Sequence, residues 1–326
     1  MGLLFLCFLI PAFFTSQFGQ KKETEAVAEQ SPNIVEENSK YHYKDYDKIK
    51  LLHSKTEQIE EVQLDSYLYG VVSAEMPADY EIEALKAQAV VARTYTIYKI
   101  QNAKGKHGDA DICDDYACCQ AWISKEDRMN KWEESKREEN WNKIVEAVNG
   151  TAGKVITYEG SPINAFFHSN SGGSTEVPIN VWGGSGYPYL QVVQTAGEEG
   201  YKQYASEVVL SKNEVVEKLK QNHAEIVIDY NLQDAIKILE YTESGRVKTI
   251  QFGNVNLSGV ETRTLFGLKS TNFTVTMDGD NVKFEVKGYG HGVGMSQTGA
   301  DTLAKEGKNY EEIIRHFYKD VEIVDY

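Results

Sequence analysis

The chain is short of positive charge. Thirty-four Lys and Arg stand against 49 Asp and Glu in 326 residues, a formal net charge of −15. Nucleic acid and anionic lipid surfaces call for basic patches, so this balance argues against either as the partner and is no bar to a glycan. Long apolar runs are lacking too. Residues 2–14 are almost wholly apolar but are interrupted by Pro11 and fall short of the roughly 20 residues a spanning helix needs. No basic segment precedes that run, and no clear small-residue cleavage site follows it. It reads as the remnant or core of a signal-anchor, with a buried core strand as the weaker alternative. An anchor there predicts a cell-membrane protein whose soluble part is extracytoplasmic. Cysteine is scarce: Cys7 lies in the apolar run, and Cys113, Cys118 and Cys119 are the other three. A serine-hydrolase elbow, G-x-S-x-G, is absent around His168-Ser169-Asn170-Ser171, which counts against that chemistry.

What is present bounds the fold. A hydrophobic share of 41% supports an ordinary core, and 326 residues suffice for one large domain or two modest ones. Residues 15–50 are rich in Lys, Glu, Gln, Asn and Ser and read as a flexible linker. Residues 51–326 are expected to form the folded domain, of α+β class, with a helical pair packed on mixed or antiparallel strands. Residues 200–270 look like an inserted smaller lobe. The 20 Tyr and 4 Trp can stack on sugar faces or simply fill core.

The chain is organised around residues 64–100. Two helical patterns flank a break at Met76-Pro77-Ala78, since Pro77 cannot continue a helix and pushes Met76 out of the αR region. Asp79 is the expected N-cap of the second helix. Ala84, Ala87, Ala89 and Ala92 make that helix thin, so neighbours can approach closely. Glu75 sits at the break. A carboxylate placed there is either one surface acid among many or a partly desolvated group whose raised pKa suits a general acid.

Two later segments carry further signals. Phe166-Phe167-His168-Ser169-Asn170-Ser171-Gly172-Gly173 follows an expected hairpin at residues 155–167; its small hydroxyls, Ser169 and Ser171, suit sugar hydroxyls. Gly288-Tyr289-Gly290-His291-Gly292-Val293-Gly294-Met295-Ser296-Gln297 is too glycine-dense for regular structure. Its imperfect dinucleotide-type fingerprint lacks a parallel βαβ context, so no organic cofactor is expected. It reads as a cleft loop presenting His291 before a helix.

Together with G-V-V-S-A-E-M-P and E-A-L-K-A-Q-A-V-V-A-R-T-Y in residues 70–95, these segments resemble the stage II sporulation protein D family, related to amidase-enhancer proteins. The resemblance spans residues 64–326. It implies a peptidoglycan lytic transglycosylase whose catalytic glutamate falls on Glu75. It also implies glycan strands stripped of stem peptides as substrate, with a cell-wall amidase and other engulfment proteins as partners in forespore engulfment. Gln88, Arg93, Tyr95, His168, Ser169, Ser171, His291 and Gln297 are the candidate substrate contacts. For Gln88 and Arg93, packing or salt-bridging within the helix pair is the equal alternative, and for the histidines, structural anchoring.

His107, Cys113 and Cys119 are spaced by six residues each, and an imidazole with soft thiolates suits zinc with an open fourth position. Adjacent Cys118 and Cys119 are not expected both to face one ion. A disulfide, or three unligated thiols, are the alternatives. Such a metal would be structural or loop-ordering. One well-placed acid without an obvious carboxylate partner fits a transglycosylase, in which the sugar's own hydroxyl replaces water. The rival is a non-catalytic wall-binding module that stimulates an amidase. A zinc-dependent hydrolase is the third reading.

Overall fold

The computed structural model describes residues 46–326. The apolar run at 2–14 and most of the stretch at 15–50 lie outside the described residues. Among the described residues no helix is long and apolar enough to cross a membrane. The class is α+β.

The chain enters through a hairpin, β1 (Lys48–His53) with β2 (Gln58–Gln63), so folded structure starts inside the stretch read as linker. The parallel β3 (Ile112–Cys113) joins β1 on its other side. The helix α1 (Leu64–Glu75) follows β2 directly and stops where Pro77 dictates, with Met76 extended at the C-cap. The helix α2 (Ile82–Asn102) is capped differently from expectation. Its N-cap is Glu81, without a side-chain bond, and not Asp79. The Glu81 N–H is met instead by Asp301 Oδ1 at 2.6 Å, a partner 220 residues away that local sequence does not reveal.

The alanine-rich α2 is buried on nearly every side, as a helix at the centre of a domain must be. The segment 124–149 has the charge pattern of one long helix. It is two, α3 (Lys125–Lys131) and α4 (Arg137–Asn149), because Trp132 turns extended between them. Then come β4 (Lys154–Tyr158) and β5 (Ser161–Pro162), joined as a hairpin. The expected continuation of that hairpin to His168 does not form. The short β6 (Phe167–His168) pairs in parallel with β13 (Met295–Ser296), which unites the two later sequence segments. The helix α5 (Pro178–Trp182) follows β6. The chain closes through α8 (Gln297–Lys305), α9 (Tyr310–Phe317) and β14 (Glu322–Asp325), the last pairing with β4. The helix α2 packs against α1, α4, α8, α9 and β4.

A second hydrophobic core lies within residues 205–287. It holds β7 (Ala205–Ser211), α6 (Lys212–Lys220), β8 (Ile236–Tyr241), β9 (Val247–Phe252), β10 (Val255–Ser258), α7 (Gly259–Phe266), β11 (Asn272–Asp278) and β12 (Asn281–Lys287). The span 200–270 stops short of this core. The strand β7 needs a neighbour, and β12 supplies it in the sheet β11-β12-β7, with Val282 opposite Leu210 and Phe284 opposite Val208.

Arg93 shows why α2 is thin. Its fully buried guanidinium donates to Val148 O at 3.2 Å and Lys154 O at 3.3 Å, and Asp65 Oδ1 lies 3.7 Å away. Val148 O belongs to the last turn of α4, where a cation also complements the helix dipole. The guanidinium thus ties α1, α4 and β4 together. A side chain with no exposed surface cannot contact a substrate, so of the two roles open to Arg93 the structure selects packing. Replacing it by lysine removes the fork that serves two carbonyls at once. Arg93→Lys should lower unfolding free energy by about 1–3 kcal/mol in urea titration, with the far-UV circular dichroism of the folded variant unchanged.

Candidate active site and metal-binding cluster

Glu75 ends α1 because Pro77 follows it, and the same break turns its side chain into a cleft of about 790 Å³. Glu75 Oε1 accepts from the Ala121 N–H at 2.7 Å, and Oε2 faces Gln297 Nε2 at 3.3 Å. Gln297 also reaches Gln88 Oε1 at 3.5 Å. Burial pushes the carboxyl up from its ordinary value, and the Ala121 and Gln297 donors offset this in part. The cations lining the cleft are engaged with other groups. Lys136 pairs with Glu139, Lys143 donates to Tyr80 O, and the Arg128 guanidinium lies 4.8 Å over the Trp132 ring. Glu75 is thus a desolvated acid with a donor to each oxygen and an opening onto solvent.

The segment that supplies Ala121 is positioned by packing. Gly70 on α1 leaves room for Trp122; a Cβ at Gly70 would stand 2.2 Å from Trp122 Nε1. Buried Gln120 donates to Tyr67 and Thr96, at 2.8 and 2.9 Å. These contacts fix the backbone on both sides of the amide that meets Glu75.

The other predicted site residues divide. Gln88 and Gln297 are buried beside Glu75, and Gln88 Nε2 has no hydrogen-bond partner. Tyr95 is 5% exposed and packs on Phe166 with Lys99 Nζ over its ring, which is a core placement. Ser171 is fully buried and its hydroxyl contacts Glu198 and Thr195, so it holds the loop and is not open to a sugar. Glu198 also receives Ser296 and Thr298, which clamps the Ser-Asn-Ser-Gly-Gly loop to the start of α8. Ser169 is partly exposed, and its carbonyl takes the Thr298 N–H at 3.1 Å.

His168 and His291 sit together, ring centroids 5.7 Å apart, against Phe166 and Trp182. They are not among the residues lining the Glu75 cleft. Gln297, which follows the glycine-rich segment, reaches the acid. Burial pulls His168 down to about 3, with Arg246 adding to the effect. Its Nδ1 lies 3.1 Å from Val293 O, and the Val293 N–H meets His291 Nδ1 at 3.0 Å. Both rings serve first to shape the glycine-rich loop.

The candidate metal site holds one residue more than expected. His107, Cys113, Cys118 and Cys119 place their ligand atoms within 4.8 Å of one another. All three cysteines are free thiols. Cys118 was expected to face elsewhere, but the backbone at 115–119 forms a helical turn in which Cys118 and Cys119 N–H both reach Asp115 O. Side chains adjacent in a helical turn diverge by about 100°, where in a strand they oppose, so both sulfurs can approach one centre. Three thiols and an imidazole fit a closed tetrahedral site, with no position left over for a substrate or a reactive water. Cys119 is two residues from Ala121, so whatever orders this cluster also orders the donor to Glu75. Adjacent cysteines are the signal that could have included Cys118. Nothing local pointed to Ala121, Arg128 or Trp132.

A family model described as stage II sporulation protein matches residues 52–158, the part that holds Glu75 and the Cys/His cluster. Stage II sporulation protein D of Bacillus subtilis is 32% identical over 98% of this chain and 92% of that protein. The Bacillus amyloliquefaciens protein of the same name is 35% identical over 81% of this chain and 75% of its own length. The chain belongs to the stage II sporulation protein D family. An amidase enhancer of Bacillus subtilis is 30% identical over 79% of this chain and 40% of its own, so it is similar across a part of that longer protein.

Two measurements test this site. Ionising a buried carboxyl costs stability as pH rises above its unfolded value, and the cost is complete above the raised native value. Glu75→Gln removes that cost. The variant should therefore match the parent near pH 4.5 and melt progressively higher than it as pH increases. At the cluster, Cys119→Ser should lower the metal content found by elemental analysis and lower the melting temperature, and chelation of the parent should do the same.

Proposed function

We propose that the protein is a peptidoglycan lytic transglycosylase that cleaves denuded glycan strands during sporulation, with Glu75 as its single catalytic acid and base. The carrying observation is a half-buried carboxyl, raised by desolvation, that opens on a cleft and receives a donor on each oxygen.

The geometry suits both halves of such a reaction. With Oε1 taken up by the Ala121 N–H, the proton of the neutral acid resides on Oε2. Delivered to the bridging oxygen, it lets the bond from muramic acid C1 to that oxygen break. The carboxylate left behind is held by the Ala121 and Gln297 donors, which favour the anion at the moment it forms. It then accepts the proton of the muramic acid 6-hydroxyl as that oxygen bonds to C1, closing the 1,6-anhydro ring and restoring the acid. Proton and bonds balance without a second carboxylate. The other acids lining the cleft, Asp79 and Glu139, are exposed, and Glu139 is paired with Lys136. Neither is held as Glu75 is.

His107, Cys113, Cys118 and Cys119 are read as zinc ligands. Bound there, zinc would supply structural cross-linking of the loop. The protein's own Gln120 and Trp122 then carry that order to Ala121. By family and by the likeness to an amidase enhancer, a cell-wall amidase and other engulfment proteins are the expected partners. An N-terminal membrane anchor would place the domain in the extracytoplasmic space.

Product analysis decides between this reading and a non-catalytic wall-binding module. Parent protein incubated with denuded strands should yield anhydro-ended fragments by mass spectrometry. Glu75→Gln should reduce their rate about 1000-fold or more while strand binding persists, a loss in the range expected of an essential proton donor. Absence of anhydro ends with the parent protein would leave only the binding role.

A further inference from the structure

Outside the Glu75 cleft the described residues include one exposed aromatic that the fold holds rigidly. Trp182 is 51% exposed at the end of α5. One side of its ring system packs on Phe166 at 4.6 Å between centroids and an interplanar angle of 34°, and His291 lies 5.0 Å away. A buried carboxylate fixes the helix that carries it. Glu176, 1% exposed, accepts from Val177 N–H and Asn180 Nδ2 through Oε1, and from the Thr242 and Ser244 hydroxyls through Oε2. Its own N–H donates to Gly292 O at 2.7 Å, which locks α5 to the glycine-rich loop. The space beyond the ring is open. Gly183, Gly184 and Gly186 all have positive φ, and a Cβ at any of them would meet nothing within 4 Å.

Single exposed aromatics are ordinary, so exposure alone decides nothing. Tyr289, 41% exposed, already has Lys269 Nζ 4.5 Å over its ring. Trp182 differs in being tied to the candidate site. Phe166 precedes β6, and Gln297, which reaches Glu75, follows β13; the two strands pair in parallel. Phe166, under the platform, and Gln297, beside the acid, therefore flank opposite ends of one short ladder, on the order of 10 Å apart along it.

The geometry points to Trp182 as a stacking subsite for a sugar ring of a glycan strand, a few units along the strand from the bond at Glu75. This rests on the glycan-strand reading above. A flat, open indole face matches the C–H face of a pyranose. A ring already immobilised by its neighbours loses little entropy on binding, which raises the return from each contact.

The test uses the full chain carrying Glu75→Gln, so that strands bind without turnover. Adding Trp182→Ala should weaken binding of denuded strands about tenfold, which is about 1.4 kcal/mol, while Trp182→Phe restores most of it. Strands should also shift the tryptophan fluorescence of the Trp182-containing chain and shift it less in the alanine variant. Tyr241→Ala, a change at another exposed aromatic, should leave binding as it was. Equal affinity of the alanine variant and its parent, with both folded by thermal melt, overturns the subsite. So does failure of the parent to bind strands at all. If native protein makes no anhydro ends yet Trp182→Ala still loses binding, the subsite stands and the catalytic reading falls.

Discussion

The structure depends on the enclosure of one carboxyl group. Glu75 ends a helix against the most buried helix of the domain, and a backbone amide from a distant segment closes over it. Packing strips part of the solvent from the group, so it holds its proton more tightly than a surface acid would. Once the proton leaves, the amide of Ala121 and the side chain of Gln297 stabilise the charge. Strong desolvation alone would make a poor base, and full solvation would make a poor acid. Two donors at a partly desolvated group suit a carboxyl that gives up a proton and takes it back.

Each structural feature around that group serves its placement. The alanines of α2 let neighbouring elements approach. The buried guanidinium of Arg93 fixes the ends of α4 and β4 against it. Asp301 holds the entry to α2 just beyond the break. Gly70 admits Trp122, and the turn with Cys118 and Cys119 leads directly into the donor amide. Most polar groups buried here are met by partners, as a low-dielectric interior requires, with Gln88 Nε2 an exception. Glu198 and Glu176 follow the same rule at the later loops, where rings of hydroxyls and amides surround each carboxylate.

Elements defined by local signals were legible in the chain. Pro77 fixed the end of α1, Ser211 with Glu214 formed a capping box on α6, and Gly267 closed α7 in the left-handed region. The turn between β11 and β12 stood out by its Asp-Gly-Asp-Asn residues. Errors arose where a distant group overrode a local one. Asp79 lost the cap to Asp301's hold on Glu81, and the strand at Phe167 chose Met295 over its sequence neighbour. Ser171, read as open to sugar, turned inward because Glu198 requires donors.

Sequence alone determined the α+β class, the break at which Glu75 sits, and the set of residues able to bind a soft metal. These follow from backbone restriction at proline, periodicity of apolar positions, and ligand chemistry, all of which act over a few residues. Tertiary structure decided which acid is desolvated, that Cys118 joins Cys119 and His107, that Arg93 and Ser171 face inward, and that Gln297 meets Glu75. Those outcomes depend on groups up to 222 residues apart competing for the same donors and the same buried volume. Chain closure over such lengths is settled by the packed core as a whole, and no short stretch of sequence carries it.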